Sequence, residues 1–147
     1  MRLKLALTAL AFGVGIAGMA FAADDPIQAR KALMKNNNEA AKVAFGMVQG
    51  KVPFDADKAA AAMKVLQDDM TAFPTLFPEG SDQGDTAAAP AIWENMEDFK
   101  ARAATLVEHA KAAEIAAAEG LDAFKAAAGP VGQDCGGCHE LYRLRRN

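Results

Sequence analysis

Only two cysteines occur in the chain, Cys135 and Cys138, three positions apart. A bridge between them would staple almost nothing, so a disulfide framework does not account for them. No segment alternates apolar and polar residues with period two while being rich in Val, Ile or Tyr, which excludes a sheet-based fold. Basic residues form no patch: the one dense run, Arg143-Leu144-Arg145-Arg146, ends the chain, and the formal net charge is −3. That balance argues against nucleic acid as a partner. Catalytic nucleophiles, paired carboxylates and a Gly-rich phosphate loop are all missing. Asp68-Asp69 and the group Glu94, Glu97 and Asp98 fall on the polar sides of helical patterns. Nothing points to an enzyme.

The one long apolar run spans residues 5–21, behind Arg2 and Lys4. At about 17 residues it sits at the lower limit for a membrane-spanning helix. It contains Gly13, Gly15 and Gly18, and Ala20-Phe21-Ala22 then offers the small-x-small pattern of a signal-peptidase site. Residues 1–22 are therefore expected to be a cleaved signal peptide, not an anchor. The mature protein, residues 23–147, would lie in the periplasm with no membrane attachment. Losing Arg2 and Lys4 takes the formal charge from −3 to −5. The remaining length suits one domain.

Apolar spacing predicts four helices. The first covers about 26–47, with Asp24 or Asp25 as cap and Pro26 in the first turn. Ile27, Met34, Ala41 and Val48 recur every seven residues, flanked by Leu33, Ala40, Ala44 and Met47. The second starts at Asp55 or Asp57 and runs to about Ala72, with Ala59, Met63, Leu66, Met70 and Phe73 in 4-3 spacing, and it stops there since the residue before Pro74 is disfavoured in a helix. Residues 74–90 carry Pro, Gly, Ser, Asp and Thr and predict a loop, with Leu76 and Phe77 turned inward. The third starts near Pro90 and ends before Gly120. Along it Ile92, Met96, Phe99, Ala103, Leu106, Ala110, Ala113 and Ala117 keep a 4-3 rhythm. The fourth runs from Asp122 to about Arg145, with a kink or break expected at Gly129-Pro130 because Pro130 cannot bond to the Ala126 carbonyl. The expected fold is all-α, an antiparallel up-down-up-down four-helix bundle. Its apolar positions are rich in Ala, which leaves room between helices for a large apolar cofactor.

The fourth helix carries Cys135-Gly136-Gly137-Cys138-His139. Two thiols three apart can add to the two vinyl groups of haem, and the adjacent imidazole can bind its iron. At i, i+3 and i+4 the three groups share one helix face. A thioredoxin-like pair should instead open a helix after a strand. A zinc site needs four N or S ligands, and the other candidate, His109, falls on a different helix. The motif therefore predicts one covalently attached haem c.

A bundle with a C-terminal Cys-x-x-Cys-His resembles the class II cytochromes c, the cytochrome c′ family, and most closely its low-spin branch. The stretch from Gly132 to Arg143 is the most specific. Arg30-Lys31-Ala32-Leu33-Met34, Leu76-Phe77-Pro78, Ile92-Trp93-Glu94 and Phe99 also match. The resemblance implies His139 as proximal ligand with Arg143 beside it, Met34 over the distal face and Arg30 near the propionates. It also implies that Phe77 and Phe99 line the haem. It further implies an unidentified periplasmic redox partner and allows a homodimer through the first two helices.

Two branches of the family differ at the sixth iron position. In one, a first-helix Met binds the iron and the protein carries electrons, which Leu33-Met34-Lys35-Asn36-Asn37 resembles. In the other, the iron is five-coordinate and high-spin and binds NO or CO, and Met34 would be a core methionine. A thiol–disulfide oxidoreductase without haem is the alternative from another class. His109, next to Glu108 and Lys111, reads as a solvated surface residue, as does the run Asn36-Asn37-Asn38. Trp93 and Tyr142 read as packing residues.

Overall fold

The computed structural model describes residues 25–145. The expected signal peptide, residues 1–22, lies outside the described residues. Five helices follow one another: α1 (Pro26–Val48), α2 (Ala56–Ala72), the four-residue α3 (Ala91–Glu94), α4 (Met96–Ala117) and α5 (Leu121–Tyr142). A short 3₁₀ turn, Phe73–Leu76, extends α2. The four long helices form the antiparallel bundle that the spacing predicts. No described helix is long and apolar enough to cross a membrane.

Caps fix the starts. Asp25 accepts from the backbone N–H groups of Ile27 and Gln28, at 2.9 and 3.4 Å, and Pro26 occupies the first turn, where its missing donor costs nothing. Asp55 caps α2 through the Lys58 N–H at 3.0 Å. Gly120, with φ at +108°, makes the reversal between α4 and α5.

Three expectations are corrected. The third predicted helix is broken at Asn95, where φ is −134° and ψ 45°, because the Asn95 side chain donates to the Ala91 carbonyl and competes with the helix backbone. The fourth passes through Pro130 without interruption. Pro130 frees the Ala126 carbonyl on an exposed face, where water can take it, while Phe124, Ala128 and Val131 anchor the opposite face in the core. That helix also ends at Tyr142, before the expected Arg145. The chain beyond is extended and pairs antiparallel with residues 87–89: Ala89 N–H bonds the Tyr142 carbonyl at 3.0 Å and Leu144 N–H bonds Ala87 at 2.8 Å.

The core is made by the predicted stripes of α2 and α4, with Ala59, Met63, Leu66, Met70, Phe99, Ala103, Leu106, Ala110 and Ala113 all buried. On α1 the buried line is rotated from the expected one. Arg30, Asn37, Ala40, Ala44 and Met47 face inward, and Met34 lies half-buried beside them. Two polar residues sit in this line: Arg30 finds several acceptors inside, and the Asn37 amide donates to the Met70 sulfur. The helices do not pack evenly. α1 with α2, α2 with α4 and α4 with α5 meet along their lengths, whereas α1 and α5 approach each other only briefly.

Candidate functional site

α5 places Cys135 and Cys138 against the core as half-buried free thiols, with His139 exposed one residue on. Burial pushes both thiols up, and the Asp134 carboxylate pushes Cys135 further. Thiol–disulfide exchange needs a thiolate, so this environment disfavours the oxidoreductase alternative. Desolvation, then the Arg143 guanidinium, lower the His139 pKa, which favours the neutral imidazole that a metal requires. Among the described residues, no group of three or more His, Cys, Asp or Glu is arranged to hold a metal ion, so a zinc cluster of that kind is not formed.

Met34 lies half-buried on α1. Gly132 of α5 lies against the Phe45 ring, since a Cβ there would come within 3.5 Å of it. From that contact the antiparallel helices run on together at about 1.5 Å per residue. Met34 is then roughly 16 Å along α1, and residues 138–142 are roughly 9–15 Å along α5. By the same rise Cys138 and His139 are roughly 9–11 Å along α5, so Met34 lies within about two turns of them along the bundle axis.

One end of that stretch is walled by rings. Phe77 and Phe99 meet edge to face at 4.9 Å, Phe73 stands 5.0 Å from Phe77, and Tyr142 stands 5.2 Å from Phe99. The Tyr142 hydroxyl donates to Asp98 at 2.5 Å, and Asp98 also takes a bond from Arg102 at 2.6 Å. Hydrogen bonding to Asp98 raises the tyrosine's pKa, and the Tyr142 hydroxyl, then Arg102, lower that of the carboxyl. The Asp98–Tyr142 tie between α4 and α5 has no signature in the spacing of either helix.

Arg30, 4% exposed, sits over the Phe77 ring at 4.8 Å and the Trp93 ring at 5.8 Å. It donates to the Leu76 carbonyl, the Ser81 hydroxyl and carbonyl, and the Thr86 hydroxyl, at 2.5–3.3 Å. All four acceptors are uncharged. Burial, the dominant influence, lowers its pKa. Arg30 thus fastens the 74–90 loop over the bundle, a role absent from the sequence expectation. Arg30→Gln should cost about 3 kcal/mol, because several buried acceptors lose a charged donor. Arg30→Lys should not restore it, since an ammonium lacks the planar fork. Denaturant unfolding would check this, and a loss below about 0.5 kcal/mol, the usual surface-substitution range, would contradict it.

The other expected residues separate. Arg143 is exposed, and its N–H bonds the His139 carbonyl at 3.3 Å. Asn38 is exposed as expected, but Asn36, though exposed, donates to the Asp69 carboxylate on α2 at 2.9 Å, and Asn37 is buried: its amide donates to the Met70 sulfur at 3.5 Å, and its Oδ1 has no partner. His109 is not simply solvated, because its Nδ1 lies 2.6 Å from Asp134 on α5.

A family model described as Cytochrome C′ matches residues 25–143. Cytochrome c-556 of Agrobacterium fabrum is 38% identical over 146 residues, covering 99% of both chains. Cytochrome c′ of Rhodopseudomonas palustris is 34% identical over 148 residues, covering all of both. The solved structure of cytochrome c′ from Rhodopseudomonas palustris superposes with a TM-score of 0.77 at 35% identity, over 84% of this chain and 98% of that one.

Proposed function

The chain belongs to the cytochrome c′ family and carries that family's covalently attached haem c, and from this premise we propose that it is a periplasmic one-electron carrier. Cys135 and Cys138 would form the thioethers, and His139 and Met34 would hold the iron. What supports this is the family match together with the free, half-buried thiols of Cys135 and Cys138 next to His139 on α5 and a half-buried Met34 on α1, two helices that approach each other only briefly.

The residues suit the group. The thiols are free, the imidazole tends to be neutral, and two edge-to-face rings give an apolar wall. The buried Arg30 guanidinium bonds only uncharged acceptors, while Asp25 and Asp82 act on it without bonding it, so a propionate carboxylate would be a directly paired opposite charge. When bound, the haem supplies an iron centre that gains and loses one electron. Phe77 and Phe99 exclude water from its edge. His139 would hold the iron from α5, and Arg143 beside it disfavours a protonated ring. Met34 would hold the iron as a second ligand, which would keep small ligands out. No further chemistry is assigned to the chain, so we read it as a carrier and not an enzyme.

The relative named cytochrome c-556 has the higher identity, 38% against 34%, in line with the low-spin branch. The full-length match to a relative named cytochrome c′ keeps the second reading in view, a five-coordinate iron that binds NO or CO with Met34 standing over an unligated position. An unidentified periplasmic redox partner and a homodimer belong to the proposal as well.

Two measurements test it. A potentiometric titration should follow one reversible one-electron curve, and a protein with no redox change would contradict electron transfer. Export with cleavage after Ala22 should give an intact mass equal to residues 23–147 plus one haem. A mass retaining residues 1–22 would overturn the periplasmic assignment.

A further inference from the structure

We propose that the Thr86 hydroxyl is the joint of a clasp that closes the gap between α1 and α5. These two helices approach each other only briefly, and what spans the gap is the 74–90 loop. On one side α1 holds it. The buried Arg30 guanidinium donates to the Leu76 carbonyl, the Ser81 hydroxyl and carbonyl, and the Thr86 hydroxyl. Next to it the Lys31 ammonium pairs with Asp85 at 2.6 Å, an exposed contact that adds little. On the other side the chain leaving α5 holds it. Ala89 N–H donates to the Tyr142 carbonyl at 3.0 Å, Leu144 N–H donates to the Ala87 carbonyl at 2.8 Å, and Ala88 lies opposite Arg143 between them.

The Thr86 oxygen belongs to both anchors. It accepts from Arg30 Nη2 at 2.7 Å and from the Ala88 N–H at 3.1 Å. A contiguous chain of bonds therefore runs from α1, through one oxygen, to the residue that pairs with the end of α5.

This part of the loop is held by polar bonds. Phe77 packs against Phe99 at 4.9 Å and Trp93 at 5.8 Å, so the start of the loop is set in the core. Residues 81–89 carry no large apolar side chain. A segment with so few apolar contacts opens at a free energy set by its own hydrogen bonds, below that of the bundle. Residues 81–89 and the extension after Tyr142 should thus open as one unit while the helices stay packed. Closed, the unit ties α1 to α5. Open, it uncovers the gap between them. That the haem occupies this gap rests on the proposed function; the clasp does not, since all its bonds lie within the chain.

Peptide-resolved hydrogen exchange of the holoprotein tests it. Thr86→Val keeps the shape of the side chain and removes the shared oxygen. Exchange should then rise at least about tenfold, the worth of a bond to a charged donor, both in residues 79–89 and at the far anchor, residues 142–145. Leu144→Pro acts from the other end. It removes one N–H from an exposed residue, and Arg143, at φ −120° and ψ 124°, already has the conformation favoured before proline. The rise should be on the order of fivefold, the worth of one backbone bond, and should reach residues 79–86. Thr86→Ser and Leu144→Ala keep the oxygen and the N–H, and should exchange like the wild type.

Variants that loosen only their own end, or leave exchange unchanged, would overturn the proposal. So would a Thr86→Ser that behaves like Thr86→Val. An equal rise around the buried Leu66 and Leu106 of α2 and α4 would also overturn it, because the whole bundle would then have loosened. These rates are compared within one iron state, so the clasp and the Met34 reading fail separately.

Discussion

The Cys135→Ala/Cys138→Ala double variant should hold no haem through acid-acetone extraction, and each single variant should retain one thioether. A large stability effect follows from the same change. A ligand that binds only the native state stabilises it by about 4 kcal/mol when present at about a thousand times its dissociation constant. Covalent attachment through two thioethers keeps the haem at the site whatever its concentration in solution. For a domain of this length such a loss lowers Tm by on the order of 10–20 °C. The bundle is vulnerable because α1 and α5 scarcely touch, and many buried positions between the helices are alanines. Calorimetry of the wild type and the double variant would check it. Equal melting temperatures would count against a haem-centred core.

Met34→Ala should convert the iron from low to high spin. The weak far-red absorption of a sulfur-ligated oxidised haem should vanish, and CO should bind the reduced protein fast instead of slowly, since no ligand then has to leave first. The substitution also removes a half-buried side chain. That costs about 1–2 kcal/mol, below the range for fully buried positions, so the fold should survive and the spectra remain interpretable. A variant with unchanged spin state and CO kinetics would demote Met34 from ligand to packing residue.

The fold was legible where one periodicity acted alone. On α2 and α4 the 4-3 spacing from Ala59 to Phe73 and from Phe99 to Ala117 marks the buried face correctly. On α1 the seven-residue repeat of Ile27, Met34, Ala41 and Val48 pointed slightly off the true face. Arg30 and Asn37 occupy its centre, and polar residues carry no weight in an apolar pattern. Their burial depends on partners remote in sequence: Ser81 and Thr86 for Arg30, Met70 for Asn37. Pro130 misled for a related reason. One lost backbone bond on a solvated face is a small penalty beside the buried anchors Phe124, Ala128 and Val131.

The attachment motif was readable because its chemistry depends on near neighbours in sequence, Cys135, Cys138 and His139. The family resemblance was also readable, and the comparisons bear it out. What escaped were ties between helices. The His109–Asp134 bond spans 25 residues and the Tyr142–Asp98 bond spans 44. Such pairs have no local signature, and His109 beside Glu108 and Lys111 looks like any solvated residue until α5 is laid against it.

The central claim is that Met34 and His139 both hold the iron, and the absorption spectrum of the wild-type protein at neutral pH tests it most directly. Recorded oxidised and reduced, it should be that of six-coordinate low-spin iron, with the far-red sulfur band present in the oxidised form. A spectrum already high-spin under these conditions would contradict the claim and leave a five-coordinate, gas-binding protein in its place.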